Sequence, residues 1–269
     1  MAMTLTHFPA GERGFFRAPV LLSGAREAIL VDGGFTLEDG RAVAAAIQAT
    51  GKRLTTVYVS QSDPDYYFSL RPIREAFPAA RVIAAADTVA AIAASVQKKL
   101  DAWGPKLGDN GPRTLSDVVV PTASNDRTLS LDGEPIEIVD ADGLANRRFL
   151  WVPSLRAVLG GVLVFAGVHV WTADTKGPEQ RAAWVANLEA IATREPTIVI
   201  PGHLTEGSAC DVSALEYTRE YLVAFEEERA RATDSGALIA AMKRRYPQAG
   251  MGVALDIGAK VATGEMAWG

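Results

Sequence analysis

Residues 57–68 read Val57-Tyr58-Val59-Ser60-Gln61-Ser62-Asp63-Pro64-Asp65-Tyr66-Tyr67-Phe68. Val57, Tyr58 and Val59 predict a buried strand. The next six residues are polar up to Pro64-Asp65, and Pro64 fixes its own φ and restricts Asp63, so the strand gives way to a loop. Two carboxylates followed by two tyrosines therefore stand just past a strand end, where α/β proteins place chemistry. The same residues also read as a solvated turn in which Asp63 or Asp65 caps the next helix. The flanking sequence has to decide.

Upstream, residues 15–22 and 27–32 read as two strands joined at Ser23-Gly24, and Gly33-Gly34 stops the second. Thr36 is the expected N-cap of a helix over 37–49, with Asp39 at the capping-box position in place of Glu. Val43, Ala46 and Ile47 keep helical spacing, and Gly51 ends the helix. With a strand over 55–60 this makes a β-α-β unit. Downstream come a short helix ending at Phe77, a strand over 81–84, and an alanine-rich helix over 87–103 stopped by Gly104-Pro105. Residues 103–112 are dense in turn formers and read as a lid, a rim or a plain surface loop.

From 118 to 160 the pattern changes to short strands, at 118–120, 127–131, 135–139, 148–152 and 157–159, which predict a second antiparallel sheet. An apolar run over 162–172, a helix over 179–193 and a strand over 197–200 follow. The last third reads as helices, about 212–264. The order β-rich, α/β, β-rich, α predicts two sheets with helices outside, as one domain over 1–269 with additional C-terminal helices.

The length of 269 residues is enough for one substantial core. A net charge of −5 with a pI near 5.3 argues against nucleic acid or an anionic membrane as partner. The one cysteine, Cys210, excludes a disulfide framework and a thiolate metal cluster, and reads as a small apolar filler. No apolar run reaches the roughly 18 residues of a membrane span, and residues 1–10 lack a signal-peptide pattern, so a cytoplasmic location is the expectation. His7, His169 and His203 are the only histidines, few for a dizinc site.

Over residues 15–206 this order of features resembles the metallo-β-lactamase superfamily, a four-layer αββα sandwich of metal-dependent hydrolases. The resemblance is carried by Ile29-Leu30-Val31-Asp32-Gly33-Gly34, by the β-α-β unit, by residues 151–161 (Trp-Val-Pro-Ser-Leu-Arg-Ala-Val-Leu-Gly-Gly) and by Ile200-Pro201-Gly202-His203. The family loop reads Thr-His-x-His-x-Asp-His. Here Gln61 and Asp63 stand at its first two histidines, Asp65 keeps the aspartate, and Tyr66 replaces the last histidine. The family's bridging aspartate falls on Gly161-Val162. Its third histidine falls within 140–146, where Asp140 and Asp142 are the available substitutes, and His203 matches the closing histidine.

By that resemblance the dinuclear zinc site is largely lost, because an amide, a phenol and an apolar side chain are poor zinc ligands. No cofactor is expected; the alternative is one weakly bound divalent metal on Asp63, Asp65 and His203. Without metal, Asp63, Asp65 and His203 form an acid/base set, and Tyr66 can donate to a developing oxyanion. The candidate substrate pocket adds Gln61, Tyr67, Phe68, His169, Trp171 and Trp103, although His169 among apolar neighbours reads more naturally as a core histidine. Asp32 is expected to brace the motif loop, and Asp174 serves equally as a turn cap or a site residue. The expected function is hydrolysis of a small ester, lactone or related carbonyl compound. A metal-independent lyase or isomerase and a non-catalytic small-molecule-binding protein are the alternatives. The partner is a small molecule, and the C-terminal helices offer a surface for a homodimer.

Overall fold

The computed structural model describes residues 3–268. In the first sheet the spatial order is β1 (Thr4–His7), β2 (Val20–Ser23), β3 (Glu27–Val31), β4 (Arg53–Val59), β5 (Arg81–Ala85) and β6 (Thr122–Ser124). β1 to β3 pair antiparallel, and β3 to β6 pair parallel. Parallel neighbours need crossovers, which α1 (Leu37–Ala49), α2 (Leu70–Ala76) and α3 (Ala86–Leu107) supply. In the second sheet the order is β12 (Ile198–Ile200), β10 (Ala157–Leu159), β9 (Arg148–Val152), β8 (Glu134–Asp140) and β7 (Thr128–Leu131), antiparallel except for β10 with β12. The β10 to β12 connection carries β11 (Phe165–Ala166) and α4 (Pro178–Ala192). β13 (His203–Leu204) pairs parallel with β11, and α5 (Ser213–Arg231), α6 (Ser235–Arg245) and α7 (Gly252–Thr263) complete the chain.

Strand alternation divides the core in two. Leu22, Ile29, Val31 and Tyr58 bury against Leu129, Ile136, Leu150 and Val152 between the sheets. Their alternating neighbours Leu21, Leu30, Val57 and Val59 cluster instead with Val43, Ile47, Ile73 and Ile92 of the helices. Both faces of a strand are apolar because both are covered, at about 1.5–3 kcal/mol per fully buried Leu or Ile side chain. The result is the expected four-layer αββα sandwich. Among the described residues no helix is long and apolar enough to cross a membrane.

Local rules hold around the β-α-β unit. Thr36 Oγ1 accepts from Asp39 N at 3.1 Å while Thr36 N donates to Asp39 Oδ2 at 3.3 Å, the expected capping box with aspartate in the glutamate role. Other expectations need correction. Phe15 and Phe16 adopt left-handed backbone (φ 55° and 56°), so the strand expected over 15–22 starts only after Pro19. Residues 118–120 add nothing to the second sheet; after Pro121 the chain enters β6 beside β5. α3 continues through Gly104-Pro105 to Leu107, because a proline in the last turn forfeits only one carbonyl's partner and leaves the earlier turns intact. The loop expected over 103–112 therefore begins at Gly108.

Candidate active site

The motif loop is fastened to the end of β3. Asp32, itself in left-handed backbone (φ 64°), accepts from Ser60 N at 2.7 Å and from Ser60 Oγ at 2.8 Å. This is the bracing role expected of it. Beyond Ser60 the chain forms a short 3-10 turn over Pro64–Tyr66, with Tyr66 N donating to Asp63 O. Gly33 N then holds Tyr66 O at 2.7 Å, and a Cβ on Gly33 would collide with Leu70 and Ser69. The turn aims Asp65 and Tyr66 inward, toward β13.

At the floor, Asp65 Oδ2 lies 3.4 Å from His203 Nε2, and Tyr66 Oη lies 3.3 Å from the same nitrogen. His203 Nδ1 is 2.7 Å from the carbonyl of Phe15, which can only accept, so the proton of the neutral imidazole sits on Nδ1 and Nε2 is an acceptor. Phe165 stacks on the ring at 5.0 Å and 5°. Gly202 permits the approach of β13: a Cβ there would collide with the Gly161 backbone.

Arg17 closes the floor from below. Its Nη2 donates to Asp32 at 2.9 Å, its Nη1 to the Gly202 carbonyl, and its Nε stands 3.9 Å from Asp65. The guanidinium lies 3.8 Å from the Tyr66 ring centroid. These groups set the ionisation of the site. Burial pushes the Asp65 carboxyl up to about 7, with Arg17 opposing and Asp63 assisting. Burial, then Arg17, pulls His203 down to about 3, so the imidazole stays neutral. Burial also raises the Tyr66 phenol well above its ordinary range, keeping it a hydrogen-bond donor.

Asp63 and Gln61 do not converge on His203. Asp63 accepts from Lys99 Nζ at 3.0 Å, and Lys99 also bonds the Ser62 carbonyl at 2.7 Å. Gln61 Oε1 accepts from Ser62 N at 2.6 Å and from Asn146 Nδ2 at 2.9 Å. Asn146 is tied through Thr88 to Arg148, which Asp87 holds with two 2.8 Å contacts. Asp140, a substitute for the missing histidine, is instead held by Arg127 and Arg148, and Asp142 is exposed. Neither lines the cavity. Among the described residues no group of three or more His, Cys, Asp or Glu is arranged to hold a metal ion.

Above the floor opens a cavity of about 740 Å³ lined by Gln61, Asp63, Asp65, Tyr66, Trp103, Trp171 and His203 among others. Three pocket expectations fail. Tyr67 and Phe68 are buried with the helix-side core, where Phe68 stacks near Phe35 at 6.1 Å. The 3-10 turn sends consecutive side chains different ways, so Tyr66 faces the cavity and its two successors face away. His169 bonds Tyr221 Oη through Nδ1 at 3.0 Å, outside the lining. Burial pulls its pKa down to about 4, the signature of a satisfied core histidine.

The structure adds Arg147 and Trp268 to the lining, which the pattern did not single out, and it puts Asp174, weighed as a turn cap or a site residue, on the cavity wall. Arg147 replaces the sought histidine's neighbourhood with a buried cation, and Asp174 accepts indole N–H bonds from Trp171 at 3.0 Å and Trp268 at 2.8 Å. An arginine pair directly before the apolar Phe149-Leu150-Trp151 was the available signal for Arg147; Trp268 carried none.

The fold is shared with solved structures. A metallo-β-lactamase family protein from Thermus thermophilus superposes with a TM-score of 0.63 at 17% identity, over 94% of this chain and 91% of that one. A metallo-β-lactamase from Pontibacter korlensis gives 0.59 at 17% identity over 82% and 95%, and one from Hirschia baltica 0.54 at 13% over 82% and 92%. No curated protein matches the chain. The family model of the metallo-β-lactamase superfamily matches residues 14–203, from the turn before Arg17 to the closing histidine, and the chain belongs to that superfamily.

Proposed function

We propose that this chain is a hydrolase-like enzyme that adds water to the carbonyl of a small ester, lactone or related compound, with Asp65, His203 and Tyr66 acting in place of a dinuclear zinc centre. One observation carries the reading. A buried carboxyl poised near pH 7 lies 3.4 Å from an unprotonated imidazole nitrogen, at the floor of a cavity of small-molecule size.

The donor set does not fit two metals. The amide oxygen of Gln61 is taken by Ser62 and Asn146, and Asp63 by Lys99. A divalent cation on Asp65 and His203 would also face the fixed Arg17 guanidinium, 3.9 Å from the Asp65 carboxylate. Like charges at such range in a buried site repel strongly. Hydrolysis instead follows from proton transfer. Ionised Asp65 takes a proton from water as its oxygen bonds the carbonyl carbon. Tyr66 donates to the oxyanion, and collapse breaks the acyl C–O bond as the proton passes to the leaving oxygen. His203 stays neutral throughout, and its Nε2 positions the Tyr66 hydroxyl and the protonated Asp65 carboxyl by accepting from them between the two transfers.

Turnover of aryl esters and of γ- and δ-lactones by the full chain tests this. Asp65→Asn and His203→Ala are each expected to lower kcat/KM by about 10²–10⁴. Because the base acts only when deprotonated, kcat/KM should rise with pH through a midpoint near 7. Stoichiometric metal in protein purified without chelator, with activity lost on chelation, would replace this mechanism by a mononuclear site on Asp63, Asp65 and His203.

A further inference from the structure

Arg147 immediately precedes β9, and its side chain is 2% exposed. The guanidinium lies 4.3 Å from the Trp184 ring centroid and lines the cavity. It carries five N–H donors. Among the described residues their polar contacts are a 3.4 Å bond from Nη1 to the Val162 carbonyl and a 3.8 Å approach of Nη2 to Asp174 Oδ2. Nη2 itself has no hydrogen-bond partner. Buried charged donors are ordinarily paired, since leaving one unmatched costs several kcal/mol. Asp174 does not supply the match: its Oδ2 stands 3.8 Å from Nη2, beyond hydrogen-bond reach, while its two oxygens accept from the indoles of Trp268 and Trp171.

The charge around the cavity says what would complete it. The ionisable lining comprises Lys98, Lys99 and Arg147 against Asp63, Asp65 and Asp174, beside the neutral His203. Lys99 is matched to Asp63. Lys98 is exposed to solvent, so Arg147 is the buried cation of this lining whose Nη2 keeps no hydrogen-bond partner. One singly charged group matches that single open fork. The remaining walls are apolar, with Trp103, Trp171, Trp268, Leu144 and Met251 among them. Carboxylate is the monoanion that the planar guanidinium fork receives through two parallel bonds.

We propose that the substrate is itself a carboxylate: a largely apolar carbonyl compound whose carboxylate seats on Arg147 and whose body lies against Trp171 and Trp268. The proposal rests on the cavity being the substrate site described above and names the class of molecule it takes.

Tryptophan fluorescence and calorimetry of the full chain with phenylacetate, its isosteric amide phenylacetamide, and inorganic phosphate form the test. Phenylacetate is expected to bind at least about tenfold more tightly than the amide, and phosphate more weakly than phenylacetate. Arg147→Met should erase the acid-over-amide preference. Asp65→Asn should keep it while losing turnover, so a wrong catalytic assignment and a wrong carboxylate seat give different results. Equal affinity for acid and amide, a preference that survives Arg147→Met, or tighter binding of phosphate overturns the proposal. The wild-type contrast, repeated as ligand-induced rises in Tm, needs no variant and decides the matter even if Arg147→Met fails to fold.

Discussion

Arg147 and Arg148 are neighbours in sequence, equally buried at 2% and 3% side-chain exposure, and opposite in what surrounds them. Arg148 is saturated: Asp87 grips it twice at 2.8 Å, Asp140 accepts at 3.2 Å, and Thr88, Asn146 and the Ser60 carbonyl take the remaining donors. Arg147 makes one long bond and one distant ion contact. Strand alternation turns the two side chains to different faces, one into the scaffold behind the motif loop and one into the cavity. A cation completed by its own chain is architecture. A cation left incomplete is a place for something else.

The largest expected effect breaks the saturated side. Arg148→Met removes several charge-assisted bonds at once and strips Thr88, Asn146 and Ser60 of a partner, so unfolding free energy should fall by about 3 kcal/mol in chemical denaturation. Asp87 and Asp140 are half exposed and regain water, which is why the loss stays well below that of orphaning a buried charge. Because Asn146 also holds Gln61, the same variant should loosen the motif loop and raise its amide exchange. A stability unchanged within error would put Arg148 in the same class as Arg147 and dissolve the contrast.

The floor of the site offers the next test, in the pH dependence of stability. The folded-state pKa of Asp65 lies above its unfolded value, so between about pH 4 and 7 the folded chain holds a proton that the unfolded chain has released. Stability from this group is therefore highest at low pH and declines as pH rises, by about 1.4 kcal/mol per unit within that window. Asp65→Asn lacks the slope. The variant should gain on the wild type from pH 5 to pH 8 in paired denaturation curves, even as it loses catalysis, the usual relation between a strained site and its fold. Parallel profiles would mean that Asp65 is ionised throughout.

A smaller effect separates the two histidines. Tyr221→Phe removes the 3.0 Å partner of His169 in the helix-side core and should cost about 1 kcal/mol without changing kcat/KM. Altered kinetics would reinstate His169 as a site residue.

Much of the sandwich was legible because its causes are local. Apolar runs on β3 and β4, the Thr36 capping box and the Gly33-Gly34 stop each act within a few residues. Asp65 and Tyr66 stood out as a loop past a strand end, whereas His203 entered only through the resemblance to the superfamily's closing histidine. What escaped depends on distant contacts. Arg17 sits in a run that reads as strand, and its role exists only because Asp32, Asp65 and Gly202 meet it in space. Tyr67 and Phe68 shared a motif with Tyr66, but a 3-10 turn, not the composition, decides which ring faces the cavity. Asp140 had the right chemistry in the right window, and Arg127 and Arg148 had already claimed it.

The smallest expected change in stability belongs to Arg147→Met, and it sharpens the comparison most. Methionine keeps a flexible apolar body against Trp184 while removing a desolvated charge that the chain itself barely satisfies. Removing a charge that the fold desolvates and barely pairs relieves a cost that offsets the lost contacts. The unfolding free energy should therefore shift by less than about 1 kcal/mol in either direction. Asp174 keeps its two indole donors and is not orphaned by the change. A loss as large as that of Arg148→Met would mean that Arg147 is held by the fold after all, and the carboxylate seat would lose its reason. A negligible change with the acid-over-amide preference gone would leave ligand binding as the role that accounts for a charge buried there.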